Sequence, residues 1–312
     1  MNDCRPQRPI LVTGAHRSGT TFVGKMLSVK SEIGYVHEPF NKDHGLEAID
    51  RWFLYLKDGL PEEPGYAAAI ADLLSGHGAY KLAPPRDGAP VRTLLRPILR
   101  SREHLRYVLS SKDPRVKRLL IKDPIACLSS EYLHRKFAMD VVIIIRHPAA
   151  FVSSLQRMDW RFDFSDFQAQ PALMADHLDA ILDGHDLRTL SEVERAAVLW
   201  ACLYGTLNSF ARRNPRIITV RHEDLSSDPN AEFQQIYKRL GIEYSDVCKR
   251  KIEAFTRATN PVAPVEGSVH TLMRDSRSNV HRWKSILAEE EIDRIRTLTG
   301  EISAAYYSEE DW

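Results

Sequence analysis

A glycine-bounded loop near the amino terminus, Gly14-Ala-His-Arg-Ser-Gly-Thr-Thr21, has the residue types of an anion-binding site. Its frame is that of the phosphate-binding loop G-x-x-x-x-G-K-[ST], in which backbone N–H groups surround phosphate oxygens. Thr20 occupies the position of the lysine that reaches the β- and γ-phosphates of a nucleoside triphosphate, and the nearest cation is Arg17, inside the loop. The loop is therefore predicted to hold a phosphate-like group without transferring the γ-phosphoryl group of ATP.

A carboxylate, Glu38, follows a short apolar run at Ile33–Val36. A carboxylate at a strand end beside an anion site is a candidate general base. His37 is the alternative base. Because neighbouring residues of a strand point to opposite faces, one of the two is expected to be structural.

Two cations, Lys122 and Arg146, also stand where apolar runs end. Lys122 can stabilise charge on a leaving oxygen, or can instead form an ion pair with Asp123 or Glu38. Arg146 is placed to bind an anion through two N–H donors, and Ser154 lies eight residues later, about two helical turns on. Taken alone, Arg146 is better explained as a charge that caps a sheet edge.

Short apolar runs without strict alternation predict the strands of a parallel sheet that is covered on both faces. These runs are Ile10–Thr13, Ile33–Val36, Leu119–Ile121, Val141–Ile145 and Ile217–Val220. Apolar residues at three-to-four spacing predict helices at Leu46–Leu56, Tyr66–Leu74, Thr93–Leu109, Ser191–Phe210 and Ala231–Leu240, with one more directly after the loop at Thr20–Ser28. The predicted fold is α/β, a parallel β-sheet flanked by helices like that of P-loop-containing nucleotide hydrolases, with ligands at the carboxyl ends of the strands.

The chain of 312 residues has a formal net charge of +1, which argues against a general nucleic-acid binder. No break in composition divides it, so residues 1–312 are expected to form a single domain. The region 159–190 is polar and rich in aromatic residues near its start. It is expected to be a lid or acceptor wall, or else a surface subdomain with its own small core.

Four widely spaced cysteines without a C-x-x-C pair indicate reduced thiols, which suits the cytoplasm. The first residues lack the apolar run of a signal peptide. No segment approaches the roughly 18 consecutive apolar residues of a membrane span. The sequence therefore predicts a cytoplasmic protein without a membrane span.

The combination of these motifs resembles the sulfotransferase family that uses 3′-phosphoadenosine-5′-phosphosulfate (PAPS). The loop Arg17-Ser-Gly-Thr-Thr21 is similar to the family's 5′-phosphosulfate loop, and Arg146 with Ser154 is similar to its 3′-phosphate motif. Val220–Pro229 is similar to the family's Y-E-D-L…D-P segment, and the stretch from Arg277 to Lys284 resembles the C-terminal nucleotide-covering loop. An arginine in the loop, where phenol and steroid sulfotransferases carry lysine, resembles the carbohydrate and tyrosyl-protein branches.

The resemblance implies a PAPS co-substrate, adenosine 3′,5′-bisphosphate as product, and no required metal. It implies that the donor is bound by the loop and by the two 3′-phosphate segments, that is by Arg17, Ser18, Gly19, Thr20, Thr21, Arg146, Ser154 and Arg277. Glu38 would be the general base, while Arg17 and Lys122 would stabilise the transferring group. The acceptor hydroxyl would belong to a carbohydrate, a glycolipid or a small molecule. The basic segment Lys81–Lys122 favours one that is acidic or polyhydroxylated.

Two other functions stay open at this point. A kinase or nucleotidase with a degenerate loop would need a Mg²⁺ ligand, for which Asp123 is the candidate. A non-catalytic module that binds a nucleotide or a glycan would keep the fold and lose the chemistry. Retention of Arg17, Glu38 and Lys122 together argues against such a module, since binding needs no base.

Overall fold

A five-stranded parallel sheet with the order β2-β3-β1-β4-β5 forms the centre of the protein. The computed structural model describes residues 7–82, 101–256 and 280–312 of the chain. The strands are β1 (Ile10–Thr13), β2 (Ile33–His37), β3 (Arg118–Lys122), β4 (Asp140–Ile145) and β5 (Ile218–Arg221). The predicted α/β fold with a parallel sheet is confirmed, and each strand lies within about one residue of the apolar run that predicted it.

Helices connect these strands. They are α1 (Thr20–Leu27), α2 (Glu63–Leu74), α3 (Arg102–Ser111), α4 (Ser130–Lys136), α5 (Pro148–Gln156), α6 (Glu192–Arg213), α7 (His222–Ser227), α8 (Pro229–Arg239), α9 (Asp246–Thr256) and α10 (Glu289–Ser303). Short helical turns occupy Ser165–Gln168, Pro171–Leu173, Met174–Leu178 and Asp179–Leu182. Of the predicted helix Thr93–Leu109, residues 93–100 lie outside the described part, and α3 begins after Ser101, whose hydroxyl caps it by accepting the His104 N–H at 3.0 Å.

Alternate residues of the strands enter two separate apolar layers. Leu11 and Ile143 pack on one face of the sheet with the long helix α6, whose Trp200 is fully buried. Val12 and Ile144 pack on the other face with α1, α8 and α9. Because both faces are covered, the strands consist of nearly continuous apolar residues, which is the pattern seen in the sequence.

The predicted helix at Leu46–Leu56 is wrong. This segment runs through turns, and Leu46 pairs as an isolated antiparallel bridge with Tyr80. Most of its apolar residues are nevertheless buried, and Phe53 has a positive φ of 50°. Burial of an irregular segment against the main core produced a spacing that resembles helical periodicity, so pattern alone could not distinguish the two.

The aromatic residues at the start of the region 159–190 belong to the main core. Phe162, Phe164 and Phe167 are buried and lie in the same apolar cluster as β4 and α6. The alternative of a subdomain with its own small core is therefore wrong for these residues.

No helix among the described residues is long and apolar enough to cross a membrane.

Candidate active site

The carboxyl ends of the parallel strands bring the candidate residues to one edge of the sheet. In the register of the sheet, Lys122 lies beside Val12 on one side and beside His37 on the other. The Thr13 hydroxyl donates to the carbonyl oxygen of Asp123 at 2.7 Å, which ties the end of β3 to the start of the loop. The loop and the Glu38–Lys122 region therefore belong to one site at this edge.

The loop of residues 14–19 closes tightly against β4. Gly14 has a φ of 136°, and a Cβ atom there would lie 2.2 Å from the carbonyl oxygen of Ile144. Gly19 has a φ of 97°, and a Cβ atom there would lie 2.8 Å from Nδ1 of His222. Both positions need glycine, and Arg17 between them also has a positive φ of 67°.

Hydrogen bonds inside the loop decide which of its donors face outward. The hydroxyl and the N–H of Ser18 both donate to the Ala15 carbonyl, at 2.5 and 3.2 Å. Tyr204 of α6 accepts the Ala15 N–H at 3.2 Å and donates to Ile144 at 2.9 Å. The donors of Ser18 are thus engaged within the loop. The first turn of α1, at Thr20 and beyond, starts after Gly19 without a side-chain cap, so its N–H groups are suited to an anion.

Arg17, Ser154 and Arg146 lie together beside this loop. The Arg17 Nε donates to the Ser154 hydroxyl at 3.4 Å, and the Arg146 guanidinium donates to the Arg17 carbonyl at 2.7 Å. Trp200 of α6 donates from its indole to the Arg146 carbonyl at 2.8 Å. Arg17 thus connects the two residues of the predicted 3′-phosphate pair, with its side chain on Ser154 and its carbonyl on Arg146.

Arg146 carries an incompletely satisfied charge. Within the described residues its buried Nε has no hydrogen-bond partner. Burial lowers the pKa of Arg146 to about 10, with Glu223 opposing the change, so the side chain stays positive at neutral pH. A buried cation with a spare donor is suited to an anionic ligand.

Glu38 and Lys122 form a short ion pair next to the loop. The Lys122 Nζ donates to Glu38 Oε1 at 2.5 Å, and the Lys122 side chain is only 1% exposed. Gly24 of α1 makes room for it, because a Cβ atom there would lie 3.1 Å from Lys122 Cβ and Cγ. Burial disfavours the charge of Glu38, but the charges of Lys122 and His37 and hydrogen bonds from Lys122 and Asn41 together outweigh it and hold the pKa of Glu38 below its usual value. Glu38 is therefore ionised, as a base requires.

The two candidate bases occupy different surroundings. Glu38 has a φ of 45°, so the chain turns at this residue and directs its side chain to Lys122. His37 remains in β2, with its Nδ1 3.3 Å from the Tyr35 hydroxyl and its Nε2 3.8 Å from Glu38 Oε1. Glu38 thus holds the central position between His37 and the buried lysine.

Asp123 ties the ends of β2 and β3 together. One carboxylate oxygen accepts the Phe40 N–H at 2.6 Å, and the other accepts the N–H groups of Ile125 at 2.9 Å and Ala126 at 3.3 Å. Burial and the negative charge of Glu38 raise the pKa of Asp123 to about 7, against the effect of these donors. Both oxygens face backbone donors, which is unsuited to a Mg²⁺ ligand.

The sequence reasoning missed several residues of the site. Tyr204 contacts the loop and Trp200 contacts Arg146, yet both lie on a helix far along the chain and belong to no motif. His16 lies in the loop, at a position that the loop pattern leaves open. Arg277 lies outside the described residues. Among the described residues, no group of three His, Cys, Asp or Glu side chains is arranged to hold a metal ion.

Comparison with known proteins adds the decisive observation: the sequence pattern of the sulfotransferase family matches residues 9–246. The chain belongs to the sulfotransferase family. The match spans all five strands and helices α1 to α8, including the loop and the Glu38–Lys122 pair. This sulfotransferase thus carries both candidate charge clusters inside the segment that defines its family. A sequence search found no match among curated proteins.

Solved structures similar to this sulfotransferase share little sequence with it. The sulfotransferase domain from the curacin biosynthetic pathway is 16% identical, with 94% of this chain and 97% of that chain covered and a TM-score of 0.48. Mouse sulfotransferase SULT7A1 complexed with PAP is 13% identical, with 99% of this chain and 88% of that chain covered and a TM-score of 0.48. Retinol dehydratase in complex with retinol and PAP is 18% identical, with 96% and 82% covered and a TM-score of 0.44. The family assignment rests on the sequence match.

Proposed function

We propose that this sulfotransferase moves a sulfuryl group from PAPS to a hydroxyl of a carbohydrate, a glycolipid or a small molecule, with Glu38 as the general base. One observation carries the proposal. At a single edge of the sheet, an anion-binding loop with its own arginine lies beside the buried Glu38–Lys122 ion pair. A base and a set of fixed cations are what transfer of an anionic group to a hydroxyl requires.

The donor-binding residues fit a nucleotide with two separate phosphate positions. The first-turn N–H groups of α1 and the hydroxyls of Thr20 and Thr21 would hold the 5′-phosphate. Arg146 and Ser154 would hold the 3′-phosphate, and the buried Arg146 Nε, which has no hydrogen-bond partner in the described part of the chain, supports this role. Arg277 is proposed as a further 3′-phosphate ligand from the resemblance alone. When bound, the donor supplies the sulfuryl group and leaves as adenosine 3′,5′-bisphosphate.

In the proposed reaction, Glu38 takes the proton of the acceptor hydroxyl as the acceptor oxygen forms its bond to sulfur. The bond between sulfur and the bridging phosphate oxygen breaks, and its electrons stay on that oxygen. Arg17 and Lys122 stabilise this growing negative charge from fixed positions. Lys122 already holds Glu38 in its ionised form, so one buried cation would serve both the base and the leaving oxygen. Positioning and electrostatics would supply most of the rate, as in phosphoryl transfer.

Calorimetry with adenosine 3′,5′-bisphosphate, compared with ADP plus Mg²⁺, tests the donor. We expect tight binding of the bisphosphate and weak binding of ADP, because only the former carries a 3′-phosphate for Arg146. Labelled PAPS incubated with glycans, glycolipids, phenols and peptides then tests transfer. Tight ADP binding with none to the bisphosphate would refute the proposal and favour a kinase or nucleotidase. Bisphosphate binding without transfer to any acceptor would favour a non-catalytic module.

A further inference from the structure

The imidazole of His16, next to Arg17 in the loop, packs against three aromatic rings. Its ring centroid lies 4.0 Å from that of Trp160, 5.4 Å from that of Phe151 and 6.0 Å from that of Phe53. Trp160 is 39% exposed, whereas the two phenylalanines are buried. An aromatic surface therefore leads from the loop arginine outward to solvent.

Trp160 is held in place by the end of helix α5. The Trp160 N–H donates to the Leu155 carbonyl at 3.3 Å, and the Asp159 N–H donates to the Gln156 carbonyl at 3.0 Å. Asp159 has a φ of 46°, so these bonds form the left-handed helix end known as a Schellman motif. Helix α5 also carries Ser154, which contacts Arg17. The backbone of Trp160 is thus tied to the helix that carries Ser154.

The surface formed by His16 and Trp160 is uncharged. Burial, with the positive charge of Arg17, lowers the pKa of His16 to about 3, so its ring is neutral at physiological pH. Glu38 lies at the same edge of the sheet as the loop that carries His16. Aromatic walls with a few placed polar groups are typical of small-molecule sites.

We propose that Trp160 and His16 form an acceptor platform, on which the apolar face of an uncharged ring packs while the ring's hydroxyl points to Glu38. A phenol and a sugar ring share this chemistry, an apolar ring face beside a nucleophilic oxygen. This inference rests on the proposed function and names the acceptor class of the same site. It departs from the acidic acceptor that the basic segment Lys81–Lys122 favoured, because the two side chains that form the platform are uncharged aromatic rings.

Steady-state kinetics with PAPS and three probe acceptors test the platform. The probes are 4-nitrophenol, methyl galactoside and, as a linear alcohol without a ring, 1-butanol. In Trp160→Ala we expect KM to rise about 3- to 10-fold for each ring probe that the wild type uses, the size of an aromatic contact, with kcat and the KM for 1-butanol nearly unchanged. Trp160→Phe should keep KM for the rings within about 2-fold, because it retains an aromatic face.

Met158→Ala is the matched control, since Met158 lies in the same turn and is 41% exposed. It should leave every KM unchanged. Equal KM values for the ring probes in Trp160→Ala and wild type would overturn the inference. So would a rise in the KM for 1-butanol as large as the rise for the ring probes. Sulfation of the phenol alone, or of the sugar alone, would assign the platform to that ring.

A binding measurement separates this inference from the proposed function. Saturation-transfer NMR in the presence of adenosine 3′,5′-bisphosphate detects the ring probes whether or not they react. We expect both the phenol and the sugar, or one of them, to bind the wild type and to lose binding in Trp160→Ala. Bisphosphate binding and sulfate transfer to 1-butanol, without binding of either ring, would overturn the platform and leave the proposed function standing.

Discussion

The two charged regions of the site are built differently. The donor region, with the loop, Arg146 and Ser154, uses strained backbone and a guanidinium whose Nε lacks a partner among the described residues. The base region pairs Glu38 with Lys122 at 2.5 Å and buries the lysine almost completely. The donor region is thus prepared for a negative charge from outside, whereas the base region is already neutralised within the protein.

This difference predicts which kinetic quantity each region controls. A cation with a spare donor gains its partner when the ligand binds, so the donor region should determine nucleotide affinity. An ion pair that is already formed adds little to binding but sets the ionisation of the base, so the base region should determine turnover. Arg17 lies beside Ser154 in the donor region and is also proposed to stabilise the transferring group. It should therefore affect both nucleotide affinity and turnover.

The largest effect is expected from a change of the base, which should alter turnover without altering nucleotide affinity. Glu38→Gln removes the proposed base and should lower kcat by roughly 10²- to 10⁴-fold, with the affinity for adenosine 3′,5′-bisphosphate nearly unchanged. Rapid-quench or steady-state kinetics and calorimetry measure the two quantities. Glu32→Gln is the control, because Glu32 pairs with Lys117 at the opposite end of the β2–β3 edge and is exposed. Near-wild-type turnover of Glu38→Gln would make His37 the base.

The second-largest effect is expected from a change of the loop arginine, Arg17. Arg17→Ala should lower kcat/KM by about 10²- to 10³-fold, because it removes one fixed donor to the transferring group. Bisphosphate affinity should also fall, since the Arg17 side chain contacts Ser154 in the donor region. Arg212→Ala, at the exposed end of α6, is the control. An unchanged kcat with weaker nucleotide binding would move Arg17 wholly to the donor region.

Arg146→Ala should act on affinity. Loss of a charge-assisted contact to the 3′-phosphate should weaken binding of adenosine 3′,5′-bisphosphate about 10- to 100-fold in calorimetry, with kcat at saturating PAPS little changed. ADP, which lacks a 3′-phosphate, should bind wild type and variant alike. An equal loss for both nucleotides would show that Arg146 acts through the loop carbonyl of Arg17 instead.

The smallest expected effect is on the stability of the fold at Asp123, which ties the ends of β2 and β3 together. The folded protein keeps a proton on Asp123 up to about pH 7, whereas the unfolded chain releases it near pH 4, so the free energy of unfolding should fall as pH rises through this window. Relative to wild type, Asp123→Asn should therefore gain on the order of 2 kcal/mol between pH 4 and pH 7 in urea unfolding. If the stability difference between Asp123→Asn and wild type does not change with pH, the three backbone donors keep Asp123 ionised.

Much of this architecture could be predicted because it follows from local pattern. Continuous apolar runs such as Val141–Ile145 allow few alternatives to a buried strand, and strands separated by helices imply a parallel sheet. Prediction failed at Leu46–Leu56, where tertiary burial without helical geometry gave a helix-like spacing. The aromatic residues after position 159 were recognised as unusual, but their membership of the main core depends on helices distant in sequence.

The sequence by itself determined the loop, its glycines and the charged residues at strand ends, since these depend on backbone conformation and residue type within a few positions. Only the tertiary structure decided that Lys122 pairs with Glu38 and not with Asp123, that Arg17 contacts Ser154, and that Trp160 lies over His16. The physical reason is that these contacts join segments separated by tens to more than a hundred residues. Strand order and helix packing bring such segments together, and neither is encoded in local spacing.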